Sequence, residues 1–374
     1  MKFVIAPDKF KGSLSGLQFC KAVEEGIKTI LPNSKILFLP LADGGDGTIE
    51  VVNFYLKGEI IEVEVNNPFF KPVLVSYLYS KATNTAFIEM AEASGVKLLK
   101  PEQFDCKNAT TLGTGEMIVD AINKGAQKII LGIGGSATND CGIGMATALS
   151  YRFLDKNNNE VKPIGLNLSQ IESIDVSNVN DRLYQVDFSV ACDVTNPLYG
   201  SNGAAYVYGA QKGASPFDIE MLDQGLKHFS KILKNVFNVD AQSVKGGGAA
   251  GGMGIASKLF LKASLEPGVK LVKSLADFDN KIENADWIIT GEGKLDSQTF
   301  SGKTLQGVMT SAKSKQIKVA AFCGAIDLDE NKILEFGIDY ADAVLNHSEN
   351  LDDAMQNGYK YIIEMVTEFA KKIV

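Results

Sequence analysis

Short apolar runs alternate with stretches of helical periodicity along almost the whole chain of 374 residues. That alternation predicts an α/β protein with parallel-rich sheets. A strand over 2–7 leads through Gly12 and Ser13 into a helix carrying Leu17, Cys20, Val23, Ile27 and Ile30 on one face, ended by Pro32. A strand over 36–41 runs into Gly44-Gly45-Asp46-Gly47-Thr48 and another helix. Further strands are expected at 87–90, 128–132 and 186–191, with helices from Thr114 and Asn139 and over 216–237 and 249–261. The final third repeats the theme: strands at 287–290, 319–322 and 343–345, and a helix at 304–312. One closing helix is expected over 352–373, with Met355, Ile362, Val366, Phe369 and Ile373 on one face.

The rhythm breaks between about 58 and 80, where β-rich stretches follow one another around the turn Asn66-Asn67-Pro68. The expected organisation is a discontinuous Rossmann-like α/β domain of residues 1–57 and 286–374. A second α/β domain, 58–285, would be inserted in it. No internal repeat or low-complexity linker interrupts the chain.

Charge narrows the partners. A net charge of −8 argues against a nucleic-acid surface, which needs a basic stripe to neutralise phosphates. The apolar start is too short for a signal peptide or a membrane span. Five cysteines without a C-x-x-C pair read as reduced thiols of a cytoplasmic protein. The two histidines, His228 and His347, lie far apart, which argues against a histidine zinc site or a Ser-His-Asp triad. Arginine occurs only at Arg152 and Arg182. Phosphate binding would therefore fall to lysines, backbone amides and a metal.

Four glycine clusters stand at apparent strand-to-helix junctions: Lys11-Gly12-Ser13, Gly44-Gly45-Asp46-Gly47-Thr48, Gly132-x-Gly134-Gly135-Ser136, and 246–254. Backbone amides and the helix dipole attract anions at such places. Each cluster alone reads equally as a tight turn or close packing. Four together favour at least one phosphate or carboxylate site.

Two motifs mislead. Gly302-Lys303-Thr304 resembles the end of a Walker A loop, but Ser297 occupies the first glycine position. Gly132-x-Gly134-Gly135-Ser136-Ala137 fits the dinucleotide fingerprint, with Asp155 about 20 residues on as a ribose acid. It supports an NAD-dependent oxidoreductase as the alternative reading. Against it, Asp140 would set a negative charge where the pyrophosphate belongs.

Carboxylates gather near the same loops: Asp8, Asp43, Asp46, Asp140, Asp193, Glu292 and Asp296. Acids beside anion loops make sense where Mg²⁺ bridges them to phosphate oxygens. For Asp43 and Asp193, capping of a turn or helix is an equal alternative. A non-catalytic carboxylate-binding module gives no reason for so many acids at anion loops.

Several ordered motifs carry a family resemblance. They are Ala6-Pro7-Asp8-x-Phe10-Lys11-Gly12-Ser13, Ala42-Asp43-Gly44-Gly45-Asp46-Gly47-Thr48 and Thr114-Gly115-Glu116. Gly134-Gly135-Ser136-Ala137-Thr138-Asn139-Asp140, Ala191-Cys192-Asp193-Val194-x-Asn196-Pro197-Leu198 and Gln211-Lys212-Gly213-Ala214 follow. Gly248-Ala249-Ala250-Gly251-Gly252 and Ile289-Thr290-Gly291-Glu292-Gly293-Lys294-Leu295-Asp296 complete the series, with Gly302-Lys303 beyond. The chain resembles the type I (bacterial) glycerate kinases. Lys9, Asp46, Cys141 and Lys294 stand where that family usually has serine, glutamate, glycine and arginine.

The resemblance implies two α/β domains with the site in a cleft between them. It implies MgATP as donor and glycerate as acceptor, phosphorylated at the 2-hydroxyl. On that footing Asp193 is the acceptor-side base, with Lys11 and Lys294 as further catalytic residues. Asp43, Glu292 and Asp296 are the metal candidates. Asp8, Gly12, Ser13, Gly44, Gly45, Gly47, Thr48, Gly134, Gly135, Ser136, Asn139, Lys212, Gly251, Gly252 and Lys303 are the binding candidates, undivided between nucleotide and glycerate.

Overall fold

The computed structural model describes residues 1–10, 12–44, 48–296 and 304–374. Lys11, Gly45, Asp46, Gly47 and Lys303 lie outside the described residues. The chain divides into two compact units, one built from 1–55 and 269–374, the other from 56–268. The segment 269–285 thus belongs with the first unit. Lys273 on helix Gly268–Ala276 donates to the Gly307 carbonyl and to Ser311 Oγ, tying it to helix Thr304–Ser314.

The first unit is a five-stranded, wholly parallel sheet. Across it the strands run Tyr340–Ala343, Lys318–Cys323, Trp287–Thr290, Lys2–Ile5, Lys35–Phe38. Phe3 pairs with Trp287 and Ile5 with Ile289 in register. The central strands are buried on both faces, which is why they read as continuous apolar runs rather than alternating ones. Phe3, Ile5, Phe322 and Trp287 pack with Phe19, Val23, Val366 and Phe369 of the helices Gly16–Ile30 and Gly358–Lys372. Gly26 allows these helices to approach closely, since a Cβ there would lie 2.9 Å from the Ile363 carbonyl oxygen. Ser15 and Gln18 form a reciprocal capping box that fixes where the first helix starts.

The second unit centres on a mixed six-stranded sheet. Its order is Ser264–Glu266, Asp187–Ala191, Lys128–Gly132, Thr85–Glu89, Pro72–Ser80, Glu59–Asn66. The first four strands are parallel, and the last two form the antiparallel hairpin signalled by consecutive β-rich stretches. Its 22-residue helix Pro216–Phe237 opens with Ser215 as cap and ends at Asn238 in the left-handed region.

Three local expectations are corrected. The segment from Asn139 does not start a helix; the helix is Ile143–Ala148, delayed because Gly142 sits at φ +65°. The closing helix is two, Leu351–Gln356 and Gly358–Lys372, so Met355 does not share a face with Ile362, Val366 and Phe369. The stretch Ala249–Phe260 contains three left-handed residues, Ala250, Gly251 and Gly252. The glycines at 246–254 therefore do not follow a strand, and their cluster is no strand-to-helix anion loop. Among the described residues no helix is long and apolar enough to cross a membrane.

Candidate functional site

The sheet of the first unit reverses its direction of growth between Lys2–Ile5 and Trp287–Thr290, because the chain adds Lys35–Phe38 on one side and the later strands on the other. Ligands of open α/β sheets bind beyond the carboxyl ends of the strands at such a switch point. Asp8 follows the first of these strands and Glu292 the second, and both line one narrow crevice with Thr290, Gly291, Leu305 and Cys323. Backbone hydrogen bonds stitch the two segments together: the Ala6 amide donates to Ile289 O at 2.7 Å and the Asp8 amide to Gly291 O at 2.9 Å. Thr290 Oγ1 donates to Ala6 O at 2.8 Å, which fixes the ends of both strands.

Burial pushes the Asp8 carboxyl above the usual carboxylate range, and the neighbouring Asp43 charge pushes the same way. The Lys9 amide, donating to Asp8 Oδ1 at 2.7 Å, pulls back. The sheet therefore gathers Asp8, Asp43 and Glu292, three of the predicted acids, around one switch point. Gly44 adjoins them at φ +88°, a conformation glycine adopts without strain. Thr48 begins the helix Thr48–Leu56 and is buried.

The other predicted residues of this unit are differently engaged. Ser13 donates its hydroxyl to the Met355 carbonyl at 2.8 Å, and its amide is bonded to Phe10 O. Its first task is to tether its loop, with Gly12 at φ +79° providing the turn. Lys294 is paired with Asp327 at 3.1 Å and stands 3.8 Å from Asp296, and the Asp327 hydrogen bond holds its ammonium protonated above the usual lysine range. Asp327 was not singled out from sequence; its only signal was its place just after the short strand Ala325–Ile326. Among the described residues no three metal-ligating side chains converge into a ready cage.

The second unit holds a separate polar cluster. Gly134 and Gly135 are exposed just beyond strand Lys128–Gly132, and Ser136, Thr138, Asn139 and Asp140 behind them are buried. Lys212, almost fully buried, donates from Nζ to Ser136 Oγ at 2.6 Å and to Thr138 O at 2.9 Å. Burial pulls its ammonium down to about 8, against the pull of Cys106 and Asp140. Thr138 Oγ1 and Asn139 Nδ2 are buried with no hydrogen-bond partner among the described residues. Orphaned polar atoms of this kind are rare in folded proteins and suit a polar ligand.

Asp140 settles the dinucleotide alternative. Its carboxylate accepts from the Thr111 amide and hydroxyl, both at 2.8 Å, and from the amides of Gly142 and Gly144 at 3.1 and 3.2 Å. The chain's own acid thus occupies the amides that a pyrophosphate would need. Asp155, the would-be ribose acid, instead accepts from the Asn157 and Asn159 amides in a surface turn. Gly251 and Gly252 pack tightly against the 138–141 segment. A Cβ on Gly251 would lie 2.2 Å from Thr138 O, and one on Gly252 2.8 Å from Cys141 Cα. Asp193 is exposed beyond the carboxyl end of strand Asp187–Ala191.

The family model described as the glycerate kinase family matches residues 3–374. A glycerate kinase of Bacillus subtilis is 41% identical over 373 residues, spanning 100% of this chain and 98% of that one. The glycerate 2-kinase of Escherichia coli K12 is 41% identical over 362 residues, 97% of this chain and 95% of its own. Among solved structures, a putative glycerate kinase 2 from Salmonella typhimurium LT2 superposes with a TM-score of 0.90 at 40% identity, covering 100% of this chain and 98% of that one.

Proposed function

Since the chain belongs to the glycerate kinase family, we propose that it transfers the γ-phosphoryl group of ATP to the 2-hydroxyl of glycerate, yielding 2-phosphoglycerate and ADP. The observation that carries this reading is the set of carboxylates at the switch point of the parallel sheet, Asp8 and Glu292 in one pocket with Asp43 close enough to raise the Asp8 pKa. Oxygen donors of this kind fit a hard divalent cation such as Mg²⁺, whose charge would relieve the repulsion that Asp8 and Asp43 impose on each other. When bound, the ion would neutralise polyphosphate charge, held by one or two of Asp43, Glu292 and Asp296 together with phosphate oxygens.

In the transfer, the bond from the γ-phosphorus to the bridging oxygen of ADP breaks as the bond to the glycerate oxygen forms. Asp193 takes the hydroxyl proton. Its place beyond the carboxyl end of a parallel strand supports that role, because acceptors of α/β enzymes sit there. The Gly134-Gly135-Ser136 loop, with Lys212 and Asn139 beneath it, offers donors for an anionic group of the substrates. Lys294, already flanked by Asp296 and Asp327, contributes a point charge at the phosphate side. Lys11 and Lys303 are proposed as further anion contacts on sequence alone.

Phosphorus NMR of the protein with MgATP and glycerate tests the proposal. A 2-phosphoglycerate resonance growing with ADP is the expected result. A 3-phosphoglycerate signal overturns the position of transfer, and no phosphoglycerate overturns the activity.

A further inference from the structure

Beside the acidic pocket, and within the same unit, opens a cavity of about 130 Å³. Its walls are mostly apolar: Phe10, Leu14, Val344, Leu351, Ala354 and Met355. One side is bare peptide, formed by Gly293 and Gly324, which stack so closely that a Cβ on Gly324 would lie 2.4 Å from Gly293 O. An apolar cavity of about 150 Å³ is enough to take up a benzene-sized ring. Glycerate, a three-carbon acid with two hydroxyls, would lose hydration in such surroundings and gain nothing. The base of the nucleotide is the one flat, largely apolar part of either reactant.

The cavity adjoins the acidic pocket along two chain segments. Gly291 and Glu292 line the acidic pocket and Gly293 the apolar cavity; Asp8 lines the first and Phe10 the second. Ser13 Oγ, bonded to Met355 O, ties the loop after Asp8 to the helix Leu351–Gln356 that supplies Leu351 and Ala354. We propose, resting on the kinase reading, that this cavity is the adenine subsite. The polyphosphate then runs across the 291–293 turn toward Asp8, Asp43 and Glu292. Leu351, Ala354 and Met355 sandwich the ring against the Gly293–Gly324 wall, so apolar contact rather than a charged clamp holds the base.

Photolabelling with 8-azido-ATP followed by peptide mapping reads the subsite independently of turnover. Label on 10–14 or 344–358, removed by excess ATP, is expected; label confined to 56–268 overturns the proposal. Ala354→Phe fills the cavity with a ring and should raise the KM for ATP about tenfold or more while that for glycerate stays within about twofold. An unchanged KM for ATP in a variant that melts like the parent overturns it as well. Should Ala354→Phe fail to fold, Leu351→Asn at the exposed rim decides in its place, with a KM for ATP raised several-fold expected and an unchanged one fatal. A parent that phosphorylates glycerate but labels only in 56–268 sinks the subsite and leaves the kinase reading standing. A parent that labels at 344–358 but phosphorylates nothing does the reverse.

Discussion

Asp193 accepts a hydrogen bond from the Gly268 amide at 3.1 Å, so the proposed base also ties down the chain at the end of its own unit. The two roles separate on substitution. Asp193→Asn keeps an oxygen for the Gly268 amide but cannot accept the substrate proton. It should fold and bind MgATP like the parent, with turnover reduced roughly 10²–10⁴-fold. Asp193→Ala should lose the same activity and about 1 kcal/mol of stability besides, as a lost hydrogen bond does. Steady-state kinetics with melting curves for both variants check this, and an asparagine variant within a few-fold of parental turnover removes Asp193 from the chemistry.

The buried acid at the dinucleotide-like loop is expected to be structural. Asp140→Ala strands four donors in a buried site: the Thr111 amide and hydroxyl and the amides of Gly142 and Gly144. Each unsatisfied buried donor costs about 1–3 kcal/mol, so urea unfolding should show a loss of at least about 3 kcal/mol. A companion measurement on the parent follows from the same geometry: MgATP should raise the melting temperature and NADH should not.

Lys212 predicts a pH signature with a definite sign. Its folded pKa of about 8 lies below the unfolded value of about 10.4. Between the two, the unfolded chain binds more protons, so this group makes the protein more stable as pH rises. Below about 8 both states hold the proton and the contribution is flat. Lys212→Met keeps the apolar stem and deletes the titration. The stability of the parent relative to this variant should therefore climb from pH 8 to 10.4 and level off on either side, as read from urea midpoints. A flat difference across that window would remove the depressed pKa.

At Lys294 the ammonium sits between Asp327 and Asp296 and is largely exposed. Exposed pairs contribute little to folding, so Lys294→Ala should leave the melting temperature nearly unchanged. It should raise the KM for MgATP, while Lys294→Arg should keep or lower it, because a guanidinium grips phosphate with two donors. An alanine variant with parental KM and turnover would take Lys294 out of the site.

Much of the fold was legible because its signals are local. The apolar runs at 128–132 and 287–290 became strands with those very bounds, since residues buried on both faces of a parallel sheet leave a continuous hydrophobic record. Helix Pro216–Phe237 keeps the bounds expected from its periodicity, with Ser215 as its cap. The acids Asp8 and Glu292 and the glycines beside them were likewise readable as residue types following apolar strands.

What the sequence alone could not determine depends on neighbours far away in the chain. The stretch from Ala249 reads as part of a helix, yet Ala250, Gly251 and Gly252 adopt positive φ, with Gly251 and Gly252 packed against 138–141. Helical periodicity runs through 352–373, but the helix breaks at Asn357 and Gly358, where Gly358 lies against Ser13, more than three hundred residues earlier. Lys212 reads from sequence as an anion-contact candidate, and only the fold buries it against Ser136, 76 positions away, and depresses its pKa. Strand order decided the rest: pairing Lys2–Ile5 with Trp287–Thr290 is a contact across more than 280 residues that no local pattern encodes, and it alone brings Asp8 and Glu292 into one pocket.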